Sequence, residues 1–124
     1  MTDEAPQIEI GPAPKVSVII PTYNRADVLY YAIKSVLNQS FQDFEIFVID
    51  DASTDKTLEI VKSINHPCIQ TFCNQENKGL TFSRNHGIDR ASGELIAFTD
   101  SDCTVKEGWL ENLCNPFHQD PKIM

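Results

Sequence analysis

The 124-residue sequence predicts an α/β fold: a mainly parallel sheet of four strands in the order 3-2-1-4, with helices on both faces. Three observations carry that prediction. The candidate strands are short, nearly continuous apolar runs rather than polar–apolar alternations, as strands buried on both faces are. They alternate with amphipathic segments in the order β-α-β-α-β-α-β-α. Each interval between strands is also long enough to hold the crossover helix that parallel pairing demands. Right-handed crossovers then leave few topologies, and 3-2-1-4 is the favoured one.

Taken in order, residues 1–14 contain Pro6, Pro12 and Pro14 with little periodicity and read as a flexible leader, so the folded domain is expected to span residues 15–124. Val16-Ser17-Val18-Ile19-Ile20, ended by Pro21, is the first strand. From Asp27 to Gln39 the apolar residues Val28, Leu29, Ala32, Ile33, Val36 and Leu37 form one stripe of a helix. Asn24 or Arg25 is its expected cap, and Asp27 falls in the first turn, where the helix dipole favours an acid. Glu45 to Asp50 is the second strand. Ser53 and Thr54 are expected to cap a helix from Asp55 to Ile64, with Leu58, Val61 and Ile64 inward. A weaker third strand runs from Cys68 to Cys73. A helix follows from Gly79 to Ala91, with Gly87 as an interruption and Gly93 as a stop. Leu95 to Thr99 is the fourth strand, and Glu107 to Leu113 the last helix, with Trp109, Leu110 and Leu113 inward. Pro121-Lys122-Ile123-Met124 reads as the opening of another strand, so the domain is expected to be truncated at its C-terminus.

Composition narrows the class. With 41% apolar and 23% charged residues the chain suits one globular core. Its 18 acids against 10 bases give a net charge of -8, which argues against a nucleic-acid partner, because phosphate backbones recruit basic faces. No stretch approaches the ~20 apolar residues of a membrane helix, and the acidic start is no signal peptide. A cytoplasmic location is expected. Cys68, Cys73, Cys103 and Cys114 form no Cys-x-x-Cys knuckle, and His66, His86 and His118 complete no zinc pattern. Small buried thiols in a reducing compartment are expected.

Ligands of open α/β sheets bind outside the carboxyl ends of the strands, where strand order reverses. Here that point lies between strands 1 and 4. Pro21-Thr22-Tyr23-Asn24-Arg25, Asp50-Asp51-Ala52-Ser53 and Asp100-Ser101-Asp102 leave those ends. At about 4.8 Å per strand, strands 2 and 4 stand roughly 10 Å apart, so Asp50, Asp51, Asp100 and Asp102 are expected on one rim. Like charges that close require a cation or hydrogen-bond donors, and Asp-x-Asp suits hard Mg²⁺ or Mn²⁺ bridging to phosphates. Taken singly, each pair reads equally well as turn and capping chemistry. Asp51 to Lys62 is no EF-hand, since Lys56 and Lys62 hold its sixth and twelfth positions. No glycine-rich dinucleotide or phosphate loop follows the first strand, so phosphates would need a metal together with Arg25, Lys78 or Arg84. Tyr23 offers a flat face for a base.

Val16 to Arg25, Ser35 to Phe41, Glu45 to Asp55, Asn77-Lys78-Gly79, Ser83 to Ile88, Gly93-Glu94 and Phe98 to Asp102 together resemble family 2 glycosyltransferases, in order and at the right intervals. That resemblance implies a Rossmann-like GT-A half that binds a nucleotide-diphosphate sugar, a UDP-sugar first, with Mn²⁺ or Mg²⁺. It implies that Pro21, Thr22 and Tyr23 wall the nucleoside pocket, that Asp51 bonds the base edge, that Arg84 supports the pocket and that Asp100 lies against ribose and sugar. Asp102 would ligate the metal. It further implies inverting transfer to a hydroxyl of a glycan, lipid or protein, cell-envelope polysaccharide included, at a peripheral position on the inner face of the membrane. In such enzymes the acceptor site and catalytic base lie well downstream of Asp-x-Asp, and neither Glu107, Glu111 nor Asp120 matches the base's context. The isolated chain is therefore expected to bind nucleotide without turnover and to self-associate. The alternatives are a non-catalytic nucleotide-binding module and a nucleotidyltransferase, although the latter would place a glycine-rich basic loop where this chain has Pro-Thr-Tyr-Asn.

Overall fold

In the computed structural model, which describes residues 15–119, strands and helices alternate throughout. They are β1 (Val16–Thr22), α1 (Leu29–Leu37), β2 (Phe44–Asp50), α2 (Thr57–Ile64), β3 (Ile69–Cys73), α3 (Leu80–Arg90), β4 (Leu95–Phe98) and α4 (Trp109–Gln119). The expected leader and the expected strand opening at Pro121 lie outside the described residues. All neighbouring strands are parallel and their order is β3-β2-β1-β4, the 3-2-1-4 arrangement that the apolar runs predict.

Central position explains composition. Every residue of β1 is buried, because β2 and β4 pair with its two edges and helices cover both its faces. Val16, Val18 and Ile20 join Leu29, Ile33 and Val36 of α1, Val61 of α2, and Leu110 and Cys114 of α4 in the larger core. Ile19, Phe47 and Ile49 point the other way and form a smaller core with Phe72 and Ala91. Each fully buried aliphatic side chain contributes about 1.5–3 kcal/mol of transfer free energy.

The second face is thin because α3 lies very close to the sheet. A Cβ built on Gly87 would stand 2.6 Å from Ile19 Cγ2. The glycine that looks like a helix interruption is therefore the contact that lets α3 settle on β1. On the opposite face, buried Gln39 docks α4. Its Nε2 donates to the Ser35 and Lys106 carbonyls, and its Oε1 accepts the Leu110 N–H at 2.9 Å.

Several local expectations are corrected. α1 begins at Leu29 with Val28 at its cap and no side-chain cap, and Asp27 lies outside its first turn. α2 begins at Thr57, with Ser53 and Thr54 outside the cap as well. The reason is common to both. Asn24, Ser53 and Thr54 bond across the two loops rather than back to their own helices, leaving the helix starts later. In α4, Leu113 is exposed and Cys114 takes the inward place, four residues on from Leu110. All four cysteines are free, but Cys73 and Cys103 are exposed, being at the end of an edge strand and in the loop after Asp102.

Candidate functional site

The carboxyl ends of β1, β2 and β4 open into a cleft of about 330 Å³. Register builds it. Thr22 pairs with Asp50, and the Asp51 N–H donates to the Thr22 carbonyl at 2.9 Å, which brings Asp51 to the rim beside β1. On the other edge the Thr99 N–H donates to the Ile19 carbonyl at 3.2 Å, so Asp100, Ser101 and Asp102 leave β4 toward the same opening. Pro21, Thr22 and Tyr23 form the central wall, and Leu80 and Ser83 close it from the start of α3.

Two loops are stitched together to hold this rim. Asn24, at φ +52°, accepts the Thr54 and Asp55 N–H groups on its Oδ1 and donates its own N–H to Ser53 Oγ. The Arg25 N–H donates to Thr57 Oγ1, and the Ala26 N–H to Asp55 Oδ2. The Thr57 hydroxyl and N–H both donate to Asp55 Oδ1, and these bonds hold the Asp55 carboxyl below its usual pKa.

Of the residues expected at the site, Pro21, Thr22, Tyr23, Asp51, Asp100 and Asp102 line this cleft, together with Arg25. Arg84 stands beside it, with Nη2 3.8 Å from Asp100 Oδ1 and its guanidinium over the Phe98 ring. Two expectations fail. Asp50 is buried and turned to its own loop, accepting the Ser53 hydroxyl and N–H, so three carboxylates line the cleft rather than four. The Lys78 ammonium pairs with Glu76 at 2.8 Å and leans toward Phe82, facing a different cavity, so it offers the cleft no charge.

Asp51 is the best-held acid. Its Oδ1 accepts from Asn74 Nδ2 at 2.7 Å and the Lys78 N–H at 2.8 Å, and its Oδ2 accepts the Gly79 N–H at 2.8 Å. Burial raises the pKa of its carboxyl, but the bonds from the Lys78 N–H, the Asn74 amide and the Gly79 N–H together outweigh burial and hold it below the ordinary value. Asn74 is buried, donates also to Ser83 Oγ at 2.9 Å, and meets His86 Nδ1 at 2.8 Å. Beyond Asn74 lies a second cavity of about 370 Å³, lined in part by Cys73, Phe82 and His86.

Asn74 and Ser83 have no assigned role in the sequence reading. Asn74 directly follows β3, so the strand-end rule that selects Asp51 and Asp100 selects it too. Ser83 needs the turn from Gly79 into α3 to be known before it can be placed.

Two buried polar atoms by the cleft lack a partner among the described residues, Thr22 Oγ1 and Arg84 Nε. An unmet buried donor costs about 1–3 kcal/mol, so a ligand offering acceptors is favoured here. Carboxylate oxygens of Asp100 and Asp102 and the Cys103 thiol lie within 4.8 Å of one another, all exposed. Two carboxylates with open positions fit hard Mg²⁺ or Mn²⁺, which complete their shells with phosphate oxygens and water. Cys103 Sγ instead donates to Asp102 Oδ1 at 3.7 Å.

Comparison with known proteins follows the same lines. The family model for glycosyl transferase family 2 matches residues 17–124. A GalNAc(5)-diNAcBac-PP-undecaprenol beta-1,3-glucosyltransferase of Campylobacter jejuni is 45% identical over 103 residues, 81% of this chain and 33% of its own length. A cholesterol galactosyltransferase of Borreliella burgdorferi is 42% identical over 102 residues, 82% of this chain and 28% of its own. Among solved structures, S. aureus TarS in complex with UDP-GlcNAc superposes with a TM-score of 0.80 at 33% identity, covering 85% of this chain and 31% of that one. The Pyrobaculum calidifontis mannosyltransferase PcManGT, in complex with GDP-Man and Mn²⁺, gives 0.79 at 28% identity, covering 85% and 32%. The chain thus spans about a third or less of the length of these proteins.

Proposed function

Because the chain belongs to glycosyl transferase family 2, we propose that its cleft holds the nucleotide diphosphate of a sugar donor, a UDP-sugar first, for inverting transfer of the sugar to an acceptor hydroxyl. The observation that carries this reading is the cleft itself: a strand-end opening with an unpartnered buried Thr22 hydroxyl at its centre, Asp51 on one side and Asp100 and Asp102 on the other. Pro21, Thr22 and Tyr23 wall the nucleoside, with the half-exposed Tyr23 ring at the rim. Asp51, kept ionised by its three donors, accepts an N–H of the base. Asp100, anchored by Arg84, lies toward ribose and sugar. Asp102 would hold the divalent ion, with Asp100 beside it, and a bound Mn²⁺ or Mg²⁺ would offset the charge of the departing diphosphate. The names of the TarS and PcManGT complexes, with UDP-GlcNAc and with GDP-Man and Mn²⁺, support a nucleotide sugar and a metal.

A base must take the acceptor proton in a single displacement, and none of the carboxylates that line the cleft is free of another role in this reading. We therefore assign the base to a residue other than these three carboxylates. Acceptors in the relatives' names include an undecaprenol-linked glycan and cholesterol, which supports a lipid or lipid-linked acceptor and a peripheral membrane position. No described helix is long and apolar enough to cross a membrane.

Calorimetric titration of the chain with UDP, with and without Mn²⁺, tests the reading. Metal-dependent binding that weakens more than about tenfold in Asp102→Ala is expected. Equal binding by both proteins would remove the metal assignment. Absence of nucleotide binding by the wild type would leave a non-catalytic module.

A further inference from the structure

We propose that Ser83 is the donor partner of Asp51 in reading the base, and that Asn74, locked by His86, is the positioning residue that holds both. The inference rests on the nucleotide reading of the cleft and goes beyond it by naming which bases the site accepts.

Hydrogen-bond direction fixes each group in turn. An ionised carboxylate only accepts, so the Asn74 group facing Asp51 Oδ1 at 2.7 Å must be its NH₂. The second hydrogen of that NH₂ goes to Ser83 Oγ at 2.9 Å. Both hydrogens are then used, and the Asn74 oxygen faces His86 Nδ1 at 2.8 Å. That nitrogen must therefore carry the proton, which fixes the His86 tautomer and stops the Asn74 amide from turning over.

Consequences reach the cleft. Ser83 Oγ is an acceptor toward Asn74, and among the described residues its O–H donates to nothing, so that hydrogen remains for a ligand. Among the described residues Asp51 Oδ2 takes only the Gly79 N–H, and it keeps acceptor capacity. Ser83 and Asp51 line the same cleft, and both are held by one amide. A carboxylate acceptor beside a hydroxyl with its hydrogen free to donate matches a base edge with an N–H next to a carbonyl, as in uracil or guanine. With Asp51 set against the ring nitrogen, cytosine is opposed, because that nitrogen accepts and would face the carboxylate, while its exocyclic amine would face the Ser83 hydrogen. Sites built on buried polar groups reject the wrong polarity because those groups are left unpaired.

His86 lines the second cavity, not the cleft, so it can be changed without touching the nucleotide. UDP and CDP, alike in size, are titrated in Mn²⁺ against wild type, Ser83→Ala, His86→Ala and His86→Asn. Wild type is expected to favour UDP by at least about tenfold. Ser83→Ala and His86→Ala should each shrink that ratio severalfold, and His86→Asn, whose amide nitrogen falls where Nδ1 stood and can again donate to the Asn74 oxygen, should restore it. A merely structural role would weaken UDP and CDP alike and leave the ratio unchanged. An unchanged ratio in both alanine variants overturns this inference while leaving the nucleotide reading intact, as does equal wild-type affinity for the two ligands. Failure of the wild type to bind either ligand overturns both.

Discussion

Asp51 does two things with one carboxylate. It ties the 77–79 loop to the sheet through the Lys78 and Gly79 N–H groups, and it lines the cleft. Removing it leaves two backbone donors and the buried Asn74 amide unmet. At about 1–3 kcal/mol for a buried unsatisfied group, and with water entering in part, Asp51→Ala should cost about 2–4 kcal/mol of stability. Urea unfolding measures this, and a loss below about 1 kcal/mol would mean that the loop holds without the carboxylate. The pH dependence has a definite sign. Because the folded pKa is lowered, the unfolded chain binds the proton first as pH falls. The stability that Asp51 contributes is fully present above the ordinary carboxylate value of about 3.9 and disappears as pH drops below it through the folded value. The gap in unfolding free energy between wild type and Asp51→Ala should thus stay level from neutral pH down to that region and narrow below it.

At the scale of elements, α3 decides the thin face of the sheet, and Gly87 decides α3. Alanine there gains up to about 1 kcal/mol of helix propensity, but its Cβ would meet Ile19 Cγ2 at 2.6 Å, and Ile19 is wholly buried. Overpacking of this kind costs about 1–3 kcal/mol, so Gly87→Ala should lower the melting temperature. It should also weaken UDP binding, since Ser83 and Arg84 ride on the same helix, and unchanged binding would show that α3 can shift without disturbing the cleft. The same helix marks how far the sequence can be read. Strand positions and the 3-2-1-4 order are legible, because four apolar runs separated by crossovers admit few arrangements. The acids at strand ends are legible for the same reason. Helix starts are less so. Asn24, Ser53 and Thr54 are good caps by residue type, yet they serve the opposite loop, a pairing visible only once β1 and β2 lie side by side. Asp50 and Asp51 look equivalent in sequence, yet as neighbours at the end of β2 they point to opposite sides, one to the Ser53 hydroxyl of its own loop and the other to Asn74 and the cleft. The Asp51–Asn74–His86 chain depends on the close approach of α3 to the sheet, which no local pattern encodes.

For the molecule as a whole, β4 is the weak boundary. It pairs with β1 on one side only, and among the described residues no strand covers its other edge. Ile96 and Phe98 are exposed on one face of that edge, and Leu113 of α4 is exposed near the other. An open edge with apolar flanks is a template for pairing with a second copy. Opposing this is the net charge of -8, carried by every copy. Repulsion between like-charged molecules is long-ranged and screened by salt, whereas backbone pairing and apolar contact are not. Association through β4 should therefore grow with both protein concentration and ionic strength, the opposite of what ion pairs between copies would give. Ile96→Lys places a charge on the edge, a device by which natural sheets avoid such pairing, and at about 40% exposure the side chain can reach water without unfolding the strand. Static light scattering across a salt series, run on wild type and Ile96→Lys, separates the possibilities. A wild type that gains mass with salt and a variant that stays monomeric place the contact at β4. A wild type that remains monomeric at high concentration and high salt would show that four strands close this sheet well enough on their own.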